Sequence, residues 1–548
     1  MLKFHRHIFI SFLIIITVSC KDKITFSKID STKLNVALKK KTKKELKNWH
    51  HKDIELDTIP GISLKRAYDS LLTNKKGKEV IIAIIDTEID INHEKLKNTV
   101  WINSKEVINN GIDDDDNGYI DDINGWNFLG NSNGQNNKFV NFEYTRILKN
   151  LTSKFKNKTT VQSKDSVSYL LYKKAKNKYD KRLKSDLAEK ENYNTLYNLY
   201  FNAKKELSAF FINKPYTIKA LDSLKNTKAN TIADIHFLVL TDCIKNNIDD
   251  EYVKKQKYLA DERVNKLLNL NYNDRLIQGD NPDDLSDTQY GNNFVNLNAA
   301  LLNHGTKMAG IISNISSNNE FKIMPLAISA YGDEHDKDIA LAIRYAVDNG
   351  AKIINMSFGK EFSLHKEWVF KAIQYAEQHS VLIVSSAGNF SYDLNLHNDY
   401  YPNDNINNKV EVSDNFLLIG AISNTINENF KTKSSNFGAN DVGLFAPGEK
   451  IFTTLPNNKY SNNVGGTSSA SVITSGVAAL LYSYHPNLTV SQVKHILMDS
   501  GLEYTIEVNT PTKEDKNKKT PFNQLSKSGK VLNAYNALIM ADSISKNQ

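Results

Sequence analysis

Three short stretches, far apart in the chain, carry side chains able to do nucleophilic chemistry. Asp86 stands in Asp86-Thr87-Glu88-Ile89-Asp90, directly after an apolar run. His304 stands in Asn303-His304-Gly305-Thr306-Lys307-Met308-Ala309-Gly310, and Ser468 in Gly465-Gly466-Thr467-Ser468-Ser469-Ala470-Ser471. A hydroxyl attacks an acyl carbon when an imidazole takes its proton and a carboxylate fixes the imidazole tautomer and stabilises the imidazolium. All three types are present. Taken singly each has a plainer role, because a strand-end Asp can cap a helix, a lone His is commonly structural, and Ser in such a turn is a common N-cap.

The elements that must position these groups are also legible. Val80 to Ile85 is an apolar run without polar alternation, as expected of a parallel strand covered by helices on both faces. Asp86 therefore lies at the carboxyl edge of a sheet, where sites in open α/β folds form. Strand patterns at Ile323 to Leu326, Lys352 to Met356 and Val381 to Ser385 alternate with helical patterns at Asp338 to Asn349 and Leu364 to His379. That alternation predicts an α/β fold with a parallel sheet flanked by helices on both faces. His304 begins a small-residue helix in which Gly305 leaves room for close approach. Ser468 falls at the N-terminus of an apolar helix running to Tyr484.

Residues 131–284 break this rhythm with Lys-, Asn- and Tyr-rich helical patterns, for example Tyr169 to Lys190 and Leu196 to Phe211, and are predicted to form a mainly helical insertion. Leu183, Leu187, Tyr193, Leu196 and Leu199 are expected to pack inside a helical hairpin, and Cys243 to be a small buried hydrophobe. Placed between the Asp and His motifs, the insertion emerges near the site, where it is expected to restrict folded substrates or bind a partner. Comparing a short peptide with a large protein as substrate, with and without it, would decide.

In chain order Asp, His, Ser, with these neighbours, the motifs resemble those of the subtilisin-like serine peptidases: Asp-Thr-Gly, His-Gly-Thr-His and Gly-Thr-Ser-x-Ala. The resemblance covers roughly residues 76–130 and 285–505. It implies a subtilisin-like sheet in which Asp86 orients, His304 is the general base and Ser468 the nucleophile of an endopeptidase acting on peptides or proteins. Val384-Ser385-Ser386-Ala387-Gly388-Asn389 is similar to the family's oxyanion-hole segment, which makes Asn389 the side-chain donor and the Ser468 N–H the second. Ile354-Asn355-Met356-Ser357-Phe358-Gly359 is similar to the substrate-binding strand, so Ser357, Phe358 and Gly359, with Ser386, Ala387 and Gly388, are expected to face an extended peptide.

Three positions depart from the family pattern. Glu88 replaces the glycine of Asp-Thr-Gly, so the turn must accept a side chain, and a second carboxylate lies near His304. Lys307 replaces the second histidine of His-Gly-Thr-His, outside the triad. Val472 stands where the family has a proline whose fixed φ preorganises a helix start, which implies lower rigidity. Glu88 and Val472 motivate the alternative reading, a calcium-stabilised binding or scaffold lipoprotein on a catalytically impaired peptidase fold.

Asp113-Asp114-Asp115-Asp116-Asn117-Gly118-Tyr119-Ile120-Asp121 packs carboxylates around one glycine and suggests a structural Ca²⁺ site. With Gly118 at the sixth position of an EF-like loop, Asp113, Asp115 and Asn117 supply side chains, Tyr119 a carbonyl and Asp121 the ninth ligand. Position twelve is Asn124, so another group must complete the shell, Asp122 being one choice. The acidic turn Asp280-Asn281-Pro282-Asp283-Asp284 caps a helix or binds the same ion.

The chain opens with basic Lys3, His5, Arg6 and His7, then an apolar stretch from Ile8 to Val18, the pattern of a secretory leader over residues 1–19. Thr17-Val18-Ser19-Cys20 resembles a lipobox, which implies lipidation of Cys20, anchorage to a membrane and a place in the cell envelope, or secretion if the anchor is not added. Residues 20–53 read as a Lys-rich polar tether, too short for a folded inhibitory propeptide. The peptidase region is then expected at 54–130 and 285–505, closed by 506–548. Hydrophobic residues at 40 % support a large core, and two cysteines exclude a disulfide scaffold. A net charge of +8 over 548 residues does not point to nucleic acid. A monomer is expected.

Overall fold

The computed structural model describes residues 46–228, 232–317, 320–396, 399–406 and 410–547. The leader, Cys20 and most of the tether lie outside the described residues. Among the described residues, no helix is long and apolar enough to cross a membrane.

A nine-stranded sheet forms the centre of the fold. Its strands are β1 (Val80–Asp86), β2 (Trp126–Asn127), β3 (Phe321–Ala327), β4 (Ile353–Met356), β5 (Leu382–Ser386), β6 (Phe416–Ile422), β7 (Val442–Pro447), β8 (Leu502–Glu503) and β9 (Lys530–Val531). They lie side by side in the order β8-β9-β7-β6-β5-β4-β1-β3-β2. Every pair is parallel except β8 with β9 at the edge. The central strands are buried along nearly their whole length, which is why their sequences are continuous apolar runs. Where Ile85 pairs with Leu326, the next pair is Asp86 with Ala327. Met356 pairs with Ser385, so the segments after β4 and β5 leave the sheet side by side.

The insertion runs from α1 (Glu143–Phe155) through α2 (Ser166–Leu207), α3 (Ile218–Lys228) and α4 (Asp234–Lys245) to α5 (Asp250–Glu262). The two helical patterns expected at 169–190 and 196–211 are one helix of 42 residues, about 63 Å long, because no Pro or Gly interrupts it. Its two ends pack on separate apolar clusters, one with Tyr144 and Phe155, the other with Phe237 and Leu240. Leu183 and Leu196 join these clusters, but Leu187 and Leu199 face solvent, on the outer side of a helix that is packed on one face only. Cys243 is buried in the second cluster.

The packed body begins before Ile54. Trp49 is fully buried, and its indole Nε1 donates to the Glu449 carbonyl at 2.8 Å. The Asp280 turn does not cap a helix, and Asp280 takes two hydrogen bonds from Arg275 (2.7 and 2.8 Å) and one from Lys337 (2.6 Å). Arg275 also reaches Asp338 at 2.7 Å, and Asp338 accepts the Tyr290 hydroxyl at 2.6 Å. The whole group is buried and fastens the end of the insertion to α7 (Asp336–Asp348).

Candidate active site

Asp86 is the last residue of β1, and His304 is in the first turn of α6 (Leu302–Ile315). The imidazole Nδ1 lies 2.7 and 2.9 Å from the two Asp86 carboxylate oxygens. Local contacts hold the helix on this turn. Gly305 N donates to Thr87 Oγ1 at 2.9 Å, and Asp90 N to Thr306 Oγ1 at 2.8 Å. A Cβ on Gly305 would lie 2.6 Å from the Thr87 carbonyl oxygen, so only glycine permits this approach. Burial would lower the His304 pKa, but the Asp86 charge and hydrogen bond outweigh it and raise the pKa above its ordinary value.

Glu88, at the family's glycine position, is fully buried and its φ is not positive, so the turn holds a side chain without strain. Its carboxylate accepts from Asn136 Nδ2 (3.0 Å), Asn127 Nδ2 (3.3 Å) and Asn298 N (2.5 Å). It thus ties the β2 strand and the start of the insertion to the segment leading into α6. Burial pushes its carboxyl above the usual range, against these donors.

Ser468 opens α9 (Thr467–Tyr484), which is buried along almost its whole length. Its Oγ donates to the Ser357 carbonyl at 3.0 Å and, among the described residues, has no hydrogen bond to His304. Val472 lies fully buried beyond the first turn of α9, where the helix continues without a preset φ.

Asn389 follows β5 and is exposed. Its Oδ1 accepts from Thr467 N at 3.0 Å, and among the described residues its Nδ2 makes no hydrogen bond. Gly388 has φ +97°, and its N–H donates to Thr467 Oγ1 at 3.1 Å. The Ala387 carbonyl accepts from Asn436 Nδ2 at 2.8 Å. Across from this segment, Ser357 Oγ donates to the Ser468 carbonyl at 3.3 Å, and Ser386 Oγ to the Phe358 carbonyl at 3.5 Å. Beyond Ser357 the backbone N–H groups of Phe358 and Gly359 make no backbone hydrogen bond among the described residues. Such an edge can pair with an extended chain. A cavity of about 1730 Å³ opens beside Asn389, Gly465 and Gly466, and α2 of the insertion borders it through Lys174, Lys178 and Lys181.

In the acidic loop the structure brings together Asp113, Asp115 and Glu106, with one ligand atom of each within 4.8 Å of the others. Glu106 was missed because it lies upstream of the loop template. Among the described residues, Glu106 Oε2 and Asp115 Oδ1 are buried without a hydrogen-bond partner. Backbone amides also donate to these carboxylates, Asn117 N and Gly118 N to Asp113 at 3.0 and 2.7 Å. Asp121 accepts from the Asn110 and Gly111 amides (3.1 and 3.0 Å), and Asn117 Oδ1 from Tyr119 N at 2.8 Å. The Tyr119 ring packs edge-on against Tyr345. Asp122 is fully buried and accepts from Asn103 Nδ2 at 2.7 Å and the Tyr345 hydroxyl at 2.5 Å, so it anchors the loop to the core.

Residues 77–526 match the subtilase family. The chain is 31 % identical over 241 residues to subtilisin-like protease 1 of Plasmodium falciparum, covering 40 % of this chain and 35 % of that one. It is 28 % identical to subtilisin DY of Bacillus licheniformis, covering 36 % of this chain and 70 % of that one. It is 26 % identical to the cell wall-associated protease of Bacillus subtilis, covering 64 % and 38 %. A lanthipeptide protease of known structure aligns with a TM-score of 0.35 at 26 % identity, covering 43 % of this chain and 76 % of that one. The chain thus spans about a third of the length of its Plasmodium relative. A match over most of the sequence, with Asp86, His304 and Ser468 each at the start or end of the element the motifs required, makes this chain a member of the subtilase family of serine peptidases.

Proposed function

We propose that the protein is an exported serine endopeptidase that hydrolyses peptide bonds through an acyl-enzyme on Ser468. The observation that carries this reading is the Asp86–His304 pair at 2.7 Å, together with a serine at a helix start whose neighbouring amide is tied to Asn389. In this mechanism the Ser468 hydroxyl turns from the Ser357 carbonyl to His304 Nε2 and passes its proton there as Oγ attacks the substrate carbonyl. Asp86 fixes the Nδ1–H tautomer and stabilises the imidazolium. Asn389 Nδ2 and the Ser468 N–H, one of the unpaired donors of the first helical turn, stabilise the oxyanion. The imidazolium then protonates the leaving amine, and water repeats the sequence to release the acid. Labelling of wild-type protein by a fluorophosphonate, absent in Ser468→Ala, tests this reading. No label on either protein would favour the scaffold alternative.

The electrostatics of the pair fix a pH dependence. His304 must be neutral to act as base, and its pKa lies above the ordinary 6.5, so kcat/KM is expected to rise with pH through an apparent pKa above 6.5. In Asp86→Asn the raising charge is gone while burial still acts, so the residual activity should titrate at lower pH. An acid limb that does not move would contradict the pairing. By linkage, the raised pKa contributes stability that is present below 6.5 and lost as pH rises through the folded-state value.

We further propose that the acidic loop holds Ca²⁺ through Glu106, Asp113 and Asp115, the hard oxygen donors this ion prefers. Chelation is expected to lower the melting temperature of the wild type but to have little effect on Glu106→Gln, which should start lower. Equal sensitivity of the two proteins would contradict the site. The leader pattern and Cys20 support attachment to the cell envelope by a lipid, which mass spectrometry of the mature N-terminus would test.

A further inference from the structure

The reacting carbonyl of a bound peptide has to lie about 3 Å from both Ser468 Oγ and Asn389 Nδ2. The residue that owns this carbonyl then rests against the two segments framing those atoms. One is Ser357–Gly359, whose Ser357 carbonyl touches Ser468 Oγ at 3.0 Å, and the other is Ala387–Gly388, which leads into Asn389. Both segments follow adjacent strands and each carries a glycine, so a peptide laid along them would direct the side chain next to the scissile bond toward the space between Gly359 and Gly388.

That gap is filled. A Cβ on Gly359 would lie 2.3 Å from Cζ of Tyr400, and one on Gly388 would lie 2.5 Å from Cε2 of the same ring. The phenol therefore spans from one segment to the other. It is pinned at its tip, where the hydroxyl donates to the Ser386 carbonyl at 2.8 Å, and at its base, where Asn403 Nδ2 donates to the Tyr400 carbonyl at 2.6 Å. The ring is buried, and burial pushes the phenol pKa well up, so it stays neutral. Swinging it aside would break the bond to Ser386 and leave that buried carbonyl without its partner.

We infer that Tyr400 sets the specificity of this peptidase by occupying the space for the residue that supplies the scissile carbonyl, restricting that residue to Gly, Ala or Ser. The inference rests on the peptidase reading above. It concerns one side chain of the substrate and leaves the others unrestricted.

The test uses the full chain and fluorogenic peptides that differ only at the residue before the scissile bond: Gly, Ala, Leu or Phe. In wild-type protein kcat/KM for Ala should exceed that for Phe by about 100-fold or more, the scale on which a pocket of fixed shape discriminates. Tyr400→Gly should raise turnover of the Phe peptide by a similar factor while changing the Ala peptide only a few-fold. Tyr400→Phe keeps the ring and should keep the preference for Ala. Wild-type turnover of the Phe peptide within about threefold of the Ala peptide would overturn the inference, even if Tyr400→Gly fails to fold. An ethyl fluorophosphonate, which carries no side chain for the gap, reads the nucleophile separately. Labelling without side-chain selectivity overturns this inference alone, whereas no labelling of the wild type overturns the peptidase reading and this one with it.

Discussion

Ser468→Ala is expected to lower kcat on peptide substrates by on the order of a million-fold, while the protein unfolds at nearly the wild-type temperature. The size of the effect is that found for subtilisin, itself a member of the family, and is not a product of the present geometry. What the geometry adds is the separation of roles. Among the described residues the Ser468 hydroxyl makes one hydrogen bond, to the Ser357 carbonyl, so its loss removes the proposed nucleophile at the cost of a single contact. Asn389→Ala leaves nucleophile and base in place and should cost about a hundred- to a thousand-fold, again a magnitude known from subtilisin. Initial rates with a single peptide distinguish the two. Turnover by Ser468→Ala within about a hundredfold of wild type would mean that another group attacks the substrate.

The second large effect is on stability. Arg275→Met should destabilise the fold by about 3–5 kcal/mol, because it leaves the buried Asp280 and Asp338 with too few partners. Burial alone would raise the Asp280 carboxyl, but hydrogen bonds and charge from Arg275 and Lys337 hold it below the usual carboxylate range. Its stabilising contribution is present above the ordinary carboxylate pKa and disappears as pH falls through the lowered one. Replacing Arg275 and Asp338 together by apolar residues of similar volume should recover part of the loss, since Lys337 still faces Asp280. Denaturant unfolding measures both variants. A loss below about 1 kcal/mol in Arg275→Met would show that water reaches the group.

The parallel sheet and its active edge could be read from the sequence because burial on both faces produces unbroken apolar runs, and because the His and Ser motifs carry the small residues that close packing demands. Gly305 is an example, since its approach to the Thr87 carbonyl is a requirement that a sequence motif preserves. Other features were hidden for physical reasons. Trp49 sits among Lys and His residues, and nothing local says that its ring crosses to Glu449. Arg275, Lys337 and Asp338 look like solvent-facing charges until the fold pairs them. Glu106 joins Asp113 and Asp115 only through a turn that no loop template includes. The Tyr400 ring lies against two glycines, at positions 359 and 388, that no local sequence pattern ties to it.

The order of the sheet sets a schedule for the growing chain. β9, near the C-terminus, lies between β7 and β8, and the residues that follow it join the beginning of the body. Ala534 N donates to the Ile62 carbonyl at 2.7 Å, Asn533 Nδ2 to Ser63 Oγ at 2.9 Å, and the Arg66 guanidinium covers the Tyr535 ring. Contacts this remote in sequence form late, because the entropy of closing the intervening loop must be overcome first. A late segment of the chain, residues 533–535, therefore seals an early one, residues 62–66. A nascent chain that already holds Asp86, His304 and Ser468 still lacks β9, and its sheet is completed only once residues 530–535 have been made.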